Sequence, residues 1–466
     1  MKRNTGVQLD EITLDTIFEE KGIGERPLPR SIFRHAIAVA LILGVLALGR
    51  VWSLGGMRGG DYRARAENAL ERVVVKRAAR GRILDRFGIP LVENAPSLDL
   101  YLDAAEFARR GEEEGVRSAL ARAGMGRDEI EAALEAAAHT SDRLLVKQDV
   151  RRSDAVVVES ANVSSLSVES DLKRSFGEEF AHIVGYTGLA TREETRLGFS
   201  SVDLVGRTGL EAQFDGSLRG ENGRVVLFKD ARGGVLEERI LRESESGGDL
   251  TTTIDGELQT YFYARLKETM RTLGAGPGGV GIALDPRNGE VLSLVSLPSF
   301  TPENIVDALA NSRKPIFNRA VSGLYNPGSV IKTIVAIAAL KEKIVTPRDR
   351  IFSAGYIEIP NPYFPEKPSR FLDWKAHGWV DLYAALARSS NVYFYAVGGG
   401  YKNLKGIGMA KLKEYYERFG LGEKTGIAIP GEATGEIPSA EEREAGGGVW
   451  RVGDTYNVSI GQGDLL

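Results

Sequence analysis

The sequence predicts an α+β chain of several modules, and three observations carry that reading. An uncharged apolar run lies near the amino terminus, a middle region combines strand-like alternation with one block of helical spacing, and from about Asp249 a long helix leads into an apolar hairpin. A length of 466 residues fits, since domains take roughly 100 to 200 residues each. A balance of 42% hydrophobic and 27% charged residues excludes wholesale disorder.

Taken in order, residues 1–35 are mostly polar and carry Lys2, Arg3, Lys21, Arg26, Arg30 and Arg34. Ala36 to Gly49 then runs without a charge, and continuing to Gly56 adds only Arg50 and Ser53 among apolar and glycine residues. That stretch of about 21 residues, at roughly 1.5 Å each, matches a hydrocarbon core of about 30 Å. Residues 36–56 are therefore expected to be a transmembrane signal anchor, with 1–35 a cytoplasmic tail and the bulk of the chain outside. A cleaved signal peptide fits less well, because the polar segment before the run is long and no small-x-small cleavage site follows.

Residues 57–248 read as one mainly β module. It opens with the charged stretch DYRARAENALERVVVKRAARG, and RGRILDRFGIPLVENAPS gives strand, turn at Phe87-Gly88, strand. From Asp103 to His139 the apolar positions recur at helical spacing between glycines 111, 115, 124 and 126, which predicts an insert of short helices. LLVKQDV, AVVVES and RVVLF are expected strands. Residues 249–466 form the next domain, with a helix from Leu258 to Thr272 and the hairpin GGVGIALDPRNGEVLSLVSLPS, turning at Asn288-Gly289.

Composition narrows the function. The net charge of −4, from 60 basic and 64 acidic residues, provides no basic excess for a phosphate backbone and argues against nucleic acid as a partner. The absence of cysteine removes thiolate nucleophiles and cysteine-held metals, and the four histidines are scattered singly with no paired ligand spacing. No metal or cofactor site is expected. Gly274-x-Gly276-x-x-Gly279 has dinucleotide-fingerprint spacing, but its order of helix, glycines, strand is the reverse of a phosphate-binding turn. Acid/base chemistry is left to Lys, Ser, Tyr, Asp or Glu.

The informative segment is YNPGSVIKTIVAIAAL, residues 325–340. Ser329 opens an apolar helix and Lys332 follows three residues on, hence on the same face. A serine hydroxyl is a weak nucleophile until a neighbouring base takes its proton, and a desolvated lysine is such a base. A second S-x-x-K, Ser170 to Lys173, lies in a charged stretch and reads as solvated surface. Farther on, LARSSNVYFYAV places Ser389 and Asn391 between an apolar helix end and an aromatic run, supplying a hydroxyl to pass a proton and an amide to hold lysine and substrate. Ser160-x-Asn162 has the same spacing but precedes Ser170 in a strand-like stretch.

S-x-x-K followed by S-x-N resembles the order in penicillin-binding proteins and β-lactamases. With RGRILDRFGIPLVEN, VGRTGLEAQFDGSLRG, GDLTTTIDGELQ, LDPRNGEVLSLVSLPSF, FGLGEKTGIAIPGEATGEIPS and DTYNVSIGQGDLL, the chain is similar over nearly its whole length to the class B, monofunctional penicillin-binding proteins, and most of all to the elongation type.

The resemblance implies a membrane-anchored peptidoglycan D,D-transpeptidase with a pedestal, or dimerisation-type, domain at 57–248. A penicillin-binding and β-lactamase-like serine transpeptidase domain would occupy 249–466. Ser329 would attack the penultimate D-Ala carbonyl of a stem peptide, Lys332 would act as base, Ser389 would relay a proton to the departing D-Ala and Asn391 would hold the substrate amide. β-Lactams would acylate the same serine. Expected partners are peptidoglycan stem peptides, a polytopic glycan polymerase, other elongation-complex proteins and the inner membrane.

The family also carries a K-[ST]-G strand. Lys424-Thr425-Gly426 has the letters, but it follows Asn391 by only 33 residues within a segment resembling the loop before the true motif. The motif is expected beyond Leu466, which makes the transpeptidase domain incomplete and the activity of the chain as it stands an open question. Trp374, His377 and Trp379 are expected to shape the cleft, since no serine elbow or acidic partner of recognisable spacing accompanies His377. Carboxypeptidase and β-lactamase activity fit an anchored pedestal protein less well. The non-enzymatic alternative is a membrane-anchored scaffold or β-lactam sensor.

Overall fold

A computed structural model of the chain describes residues 30–52, 71–140, 143–229, 235–274, 276, 278–361, 364 and 366–466. These fall into two compact units, one drawn from 1–73 with 226–238 and the other from 74–225 with 239–466.

In the first unit the apolar run forms the helix Arg30–Trp52. Its large apolar side chains, from Ile37, Leu41 and Leu43 to Leu48 and Val51, are exposed. Among the described residues no helix is long and apolar enough to cross a membrane. Residues 53–56 of the expected anchor, and most of the charged stretch after it, lie outside the described residues. The unit also holds the ends of three strands, Glu71–Lys76, Gly223–Lys229 and Val235–Arg242, which pair in that order.

The second unit begins with β1 (Ile83–Leu84) and β2 (Pro90–Asp103), joined by a turn in which Gly88 takes φ +83° and the Asp85 carboxylate accepts from the Phe87 and Ile89 N–H groups. The predicted insert is three helices, α1 (Ala104–Arg110), α2 (Glu113–Arg122) and α3 (Arg127–Ala138). Asp103 caps α1 by accepting from Glu106 N–H at 2.8 Å, and Gly111 ends it in the left-handed region. Val116, Leu120, Ile130 and Leu134 bury one face of the insert with Leu100 and Leu102 of β2.

β3 (Arg143–Lys147) and β4 (Leu166–Ser175) both run antiparallel to β2, with Leu102 opposite Leu144 and Leu100 opposite Val168. One expectation fails between them. AVVVES is not a strand but the end of α4 (Arg152–Ser160). Burial follows a three-residue step, with Ala155 and Val158 buried and Val156 exposed, so packing of one helical face outweighs the strand preference of three valines. Ser160 and Asn162 thus stand at a helix end rather than in a strand-like stretch. Ser170 and Lys173 lie on β4, where Lys173 Nζ donates to Asp149 at 2.6 Å.

Three arginines hold this module together from inside. The buried carboxylate of Glu211 accepts from Arg80 Nε at 2.9 Å and Arg174 Nε at 2.7 Å, while Arg77 reaches Asp99 and Asp171. Such groups are tolerated out of water only because they are paired.

β5 (Leu250–Thr251) adds to β1 in parallel and leads into α5 (Gly256–Leu273), capped by Asp255 and closed by Gly274 at φ +57°. Buried Gln259 on α5 donates to Leu294 O and accepts from Ser293 Oγ and Leu294 N–H, which fastens the helix to the hairpin of β6 (Gly279–Leu284) and β7 (Val291–Leu297). The glycine run is therefore a helix stop followed by a strand start.

The largest core surrounds α6 (Lys332–Lys341). Around it lie two small antiparallel pairs, β8 (Ile351–Ser353) with β11 (Gly378–Val380) and β9 (Tyr356–Ile359) with β10 (Ser369–Leu372), and the helices α7 (Asn391–Gly399), α8 (Met409–Arg418) and α9 (Val452–Ser459). α7 is buried from Val392 to Gly398. Gly398 is required there, because a Cβ would lie 1.8 Å from Ser459 Oγ on α9.

Candidate active site

The nucleophile candidate sits where two helical geometries join. Gly328–Ile331 forms a 3-10 turn that runs directly into α6, so exposed Ser329 stands one turn before Lys332. Gly328 takes φ +65°, and its N–H donates to Gly461 O at 2.8 Å. Gly461 itself has φ +74°, and a Cβ on it would lie 2.2 Å from Gly328 O. Asn326 Nδ2 donates to Gly463 O and Leu465 O. The IGQGDLL segment thus fixes the turn that carries Ser329, a role that sequence reading assigned to no residue.

Lys332 is 2% exposed. Its Nζ donates to Asn391 Oδ1 at 2.6 Å, to Ser389 O at 2.9 Å and to Ser389 Oγ at 3.2 Å. Burial lowers its pKa to about 8, against an opposing pull from the Asp373 carboxylate. Lys332, Ser389 and Asn391 are thus brought into direct contact, with Ser329 one turn away on the same helical run.

The S-x-N segment is a tight turn rather than a simple helix end. Ser389 has φ +52°, a left-handed conformation that costs a non-glycine residue about 1–3 kcal/mol and needs surrounding contacts to hold it. Ser390, fully buried, is the N-cap of α7 and accepts from Tyr393 N–H. Asn391 opens α7 and donates from Nδ2 to Leu372 O at 3.4 Å.

Asp373 was missed as a member of this cluster. One of its oxygens accepts from Ser390 Oγ at 2.8 Å, Val392 N–H at 3.0 Å and Ser353 Oγ at 3.3 Å, and the other accepts from Trp374 N–H at 2.9 Å. Burial would raise its pKa, but the Val392 and Asn391 N–H groups and the Ser390 hydroxyl outweigh that and hold it below the usual carboxylate range. His377 does have an acidic neighbour after all, since its Nε2 lies 3.5 Å from Asp373 Oδ1 with both side chains enclosed. The spacing of four residues was the available signal. Trp374 is exposed and donates to Arg388 O, while Trp379 packs edge-on against Phe352.

Lys424-Thr425-Gly426 lies outside any strand, in a loop where Thr425 N–H donates to Glu432 at 2.7 Å. It makes no contact with Lys332 or Ser389 among the hydrogen bonds of the described residues. Among the described residues no group of three or more His, Asp or Glu side chains is placed to hold a metal ion.

Residues 75–252 match the penicillin-binding protein dimerisation domain, and residues 279–465 match the penicillin-binding protein transpeptidase domain. The chain is 29% identical over 418 residues to the peptidoglycan D,D-transpeptidase MrdA of Acinetobacter baumannii, covering 83% of this chain and 57% of that protein. It is also 29% identical to the protein of that name from Haemophilus influenzae, covering 96% of this chain and 69% of the relative. Its fold is similar to penicillin-binding protein 2 of Helicobacter pylori, solved in complex with MreC, with a TM-score of 0.62, 23% identity and coverage of 85% and 74%. The chain spans 57% to 69% of the length of the two curated relatives. Its two matched domains, their order and these relatives agree: the chain belongs to the class B penicillin-binding proteins, of the elongation type.

Proposed function

We propose that the protein is a peptidoglycan D,D-transpeptidase of cell-wall elongation, working through a serine acyl-enzyme. The observation that carries the reading is Lys332, buried beside the nucleophile turn with its Nζ held between Ser389 and Asn391 and its pKa lowered to about 8. At pH 7 roughly a tenth of such a lysine is neutral, enough to serve as a general base.

Neutral Lys332 accepts the Ser329 hydroxyl proton as Oγ attacks the penultimate D-Ala carbonyl of a stem peptide. The Ser329 N–H donates to the developing oxyanion. Ser389, in contact with Lys332, passes a proton to the departing D-Ala nitrogen, which leaves as the C–N bond breaks. Asn391 fixes the lysine and orients the substrate amide. An amine from a neighbouring stem peptide then attacks the ester, restoring Ser329 and closing the cross-link. A β-lactam ring presents the same kind of carbonyl and acylates the same serine.

The proposed single-pass anchor in the inner membrane, with the catalytic domain outside, rests on the apolar sequence run 36–56 and not on a spanning helix of the described residues, of which Ile37, Leu41, Leu43 and Leu48 expose their side chains. The Helicobacter pylori protein was solved with MreC, which supports a place among elongation-complex proteins, and a glycan polymerase as partner is what the resemblance implies. The test is labelling of native membranes with a tagged penicillin, followed by mapping of the adduct. Modification on Ser329, abolished in Ser329→Ala, supports the reading. An unlabelled wild-type protein sinks it and leaves a scaffold.

A further inference from the structure

We propose that Asp373 is a positioning residue for acyl transfer: its carboxylate holds the Ser389–Asn391 turn in shape and thereby places both groups that orient Lys332. The inference rests on the reading above.

The geometry is a grip from both sides of Asn391. Ser390 Oγ and Val392 N–H, the neighbours before and after it, donate to the same carboxylate oxygen at 2.8 and 3.0 Å, and the Asn391 N–H adds to them. Ser353 Oγ on β8 reaches that oxygen at 3.3 Å, and Trp374 N–H occupies the other. Asp373 belongs to the segment between β10 and β11, which is tied in turn to the β8 region by Asp373 N–H on Gly355 O and His377 N–H on Ser353 O. A carboxylate from a separate, anchored segment is thus what organises a turn whose first residue is in a conformation that non-glycine residues rarely adopt.

An amide cannot replace it. Asn at this position offers one acceptor oxygen, so either the trio of donors on one side or the Trp374 N–H on the other faces an N–H₂ group instead. The negative charge has its own effect. The titratable groups facing it are Lys332, whose ammonium it favours, His377, and the Tyr395 phenol, which burial and then Asp373 push up to about 12. Arg388 directs its guanidinium at His377 O, and Lys375 lies over the Trp374 ring.

The experiment measures the second-order rate of Ser329 acylation by a fluorescent penicillin against pH, in native membranes, for the wild type, Asp373→Asn, Asp373→Glu and Ser390→Ala, with thermal unfolding of each. Asp373→Asn is expected to lower the plateau roughly ten- to a hundredfold, the scale of a misplacement near 1 Å. Its rising limb is expected to move to lower pH, because the charge that favoured protonated Lys332 is gone. Asp373→Glu restores the limb while the plateau stays low. Ser390→Ala, which removes one donor and keeps the charge, lowers the plateau and leaves the limb in place.

A wild-type plateau and limb in Asp373→Asn overturn the proposal, as does a fall in rate that only follows lost stability with the limb unmoved. If Asp373→Asn does not fold, an unchanged plateau in Ser390→Ala overturns it instead. An unlabelled wild type would be a failure of the transpeptidase reading and not of this one.

Discussion

The Lys332 ammonium lies 2.6 Å from Asn391 Oδ1, so the one buried cation of α6 is fixed by a side chain that opens another helix. A hydrogen bond to a charged partner contributes about 1.5–3 kcal/mol. Asn391→Ala is therefore expected to slow acylation of Ser329 by roughly ten- to a hundredfold with the fold retained, measured as the rate of penicillin labelling. Asn391→Asp is expected to move the pH profile upward, because a carboxylate at that position favours protonated Lys332.

The pH profile itself follows from Lys332. Only the neutral amine acts as base, so acylation is expected to rise with pH and level off above about 8. The same shift bears on stability. The folded-state pKa lies below the ordinary lysine value of 10.5, so between about 8 and 10.5 the unfolded chain binds more protons than the folded one. In that window this group contributes stability that increases as pH rises, readable from urea midpoints. A profile that is flat through pH 8 would remove Lys332 as the base.

Gly461→Ala is expected to be costly for two reasons at once. Alanine disfavours φ +74°, and its methyl would meet Gly328 O at 2.2 Å. A loss of about 2–3 kcal/mol is expected in denaturant unfolding, within the usual scale of overpacking. Because Gly328 precedes Ser329, acylation should fall further than stability alone requires.

Glu211→Gln tests the pedestal. The carboxylate is shared by Arg80 and Arg174, both buried. Neutralising it leaves Arg80 with Asp215 and Leu204 O and Arg174 with Asn94 Oδ1, so the expected cost lies at or below the about 3–5 kcal/mol of breaking a buried ion pair. Thermal unfolding of the variant would show it.

Helical spacing and turn signals made much of the architecture legible: the insert after Asp103, the helix beginning near Gly256 and the hairpin at Asn288-Gly289 all follow from local pattern. AVVVES misled because three successive valines suit either element and only the buried face decides between them. The pairing of Lys332 with Ser389 and Asn391 came from motif order, which no periodicity supplies. Asp373 and Gly461 stayed hidden for a different reason. Each acts on a segment remote in sequence through backbone groups, and a backbone N–H or C=O leaves no mark in the letters of the chain that uses it.

The bond from Gly328 N–H to Gly461 O also fixes an order of events in the life of the molecule. The turn bearing Ser329 is translated about 130 residues before the stretch of backbone that clamps it. A chain whose residues 460–466 have not yet docked therefore carries Ser329 and Lys332 without the brace that holds their turn.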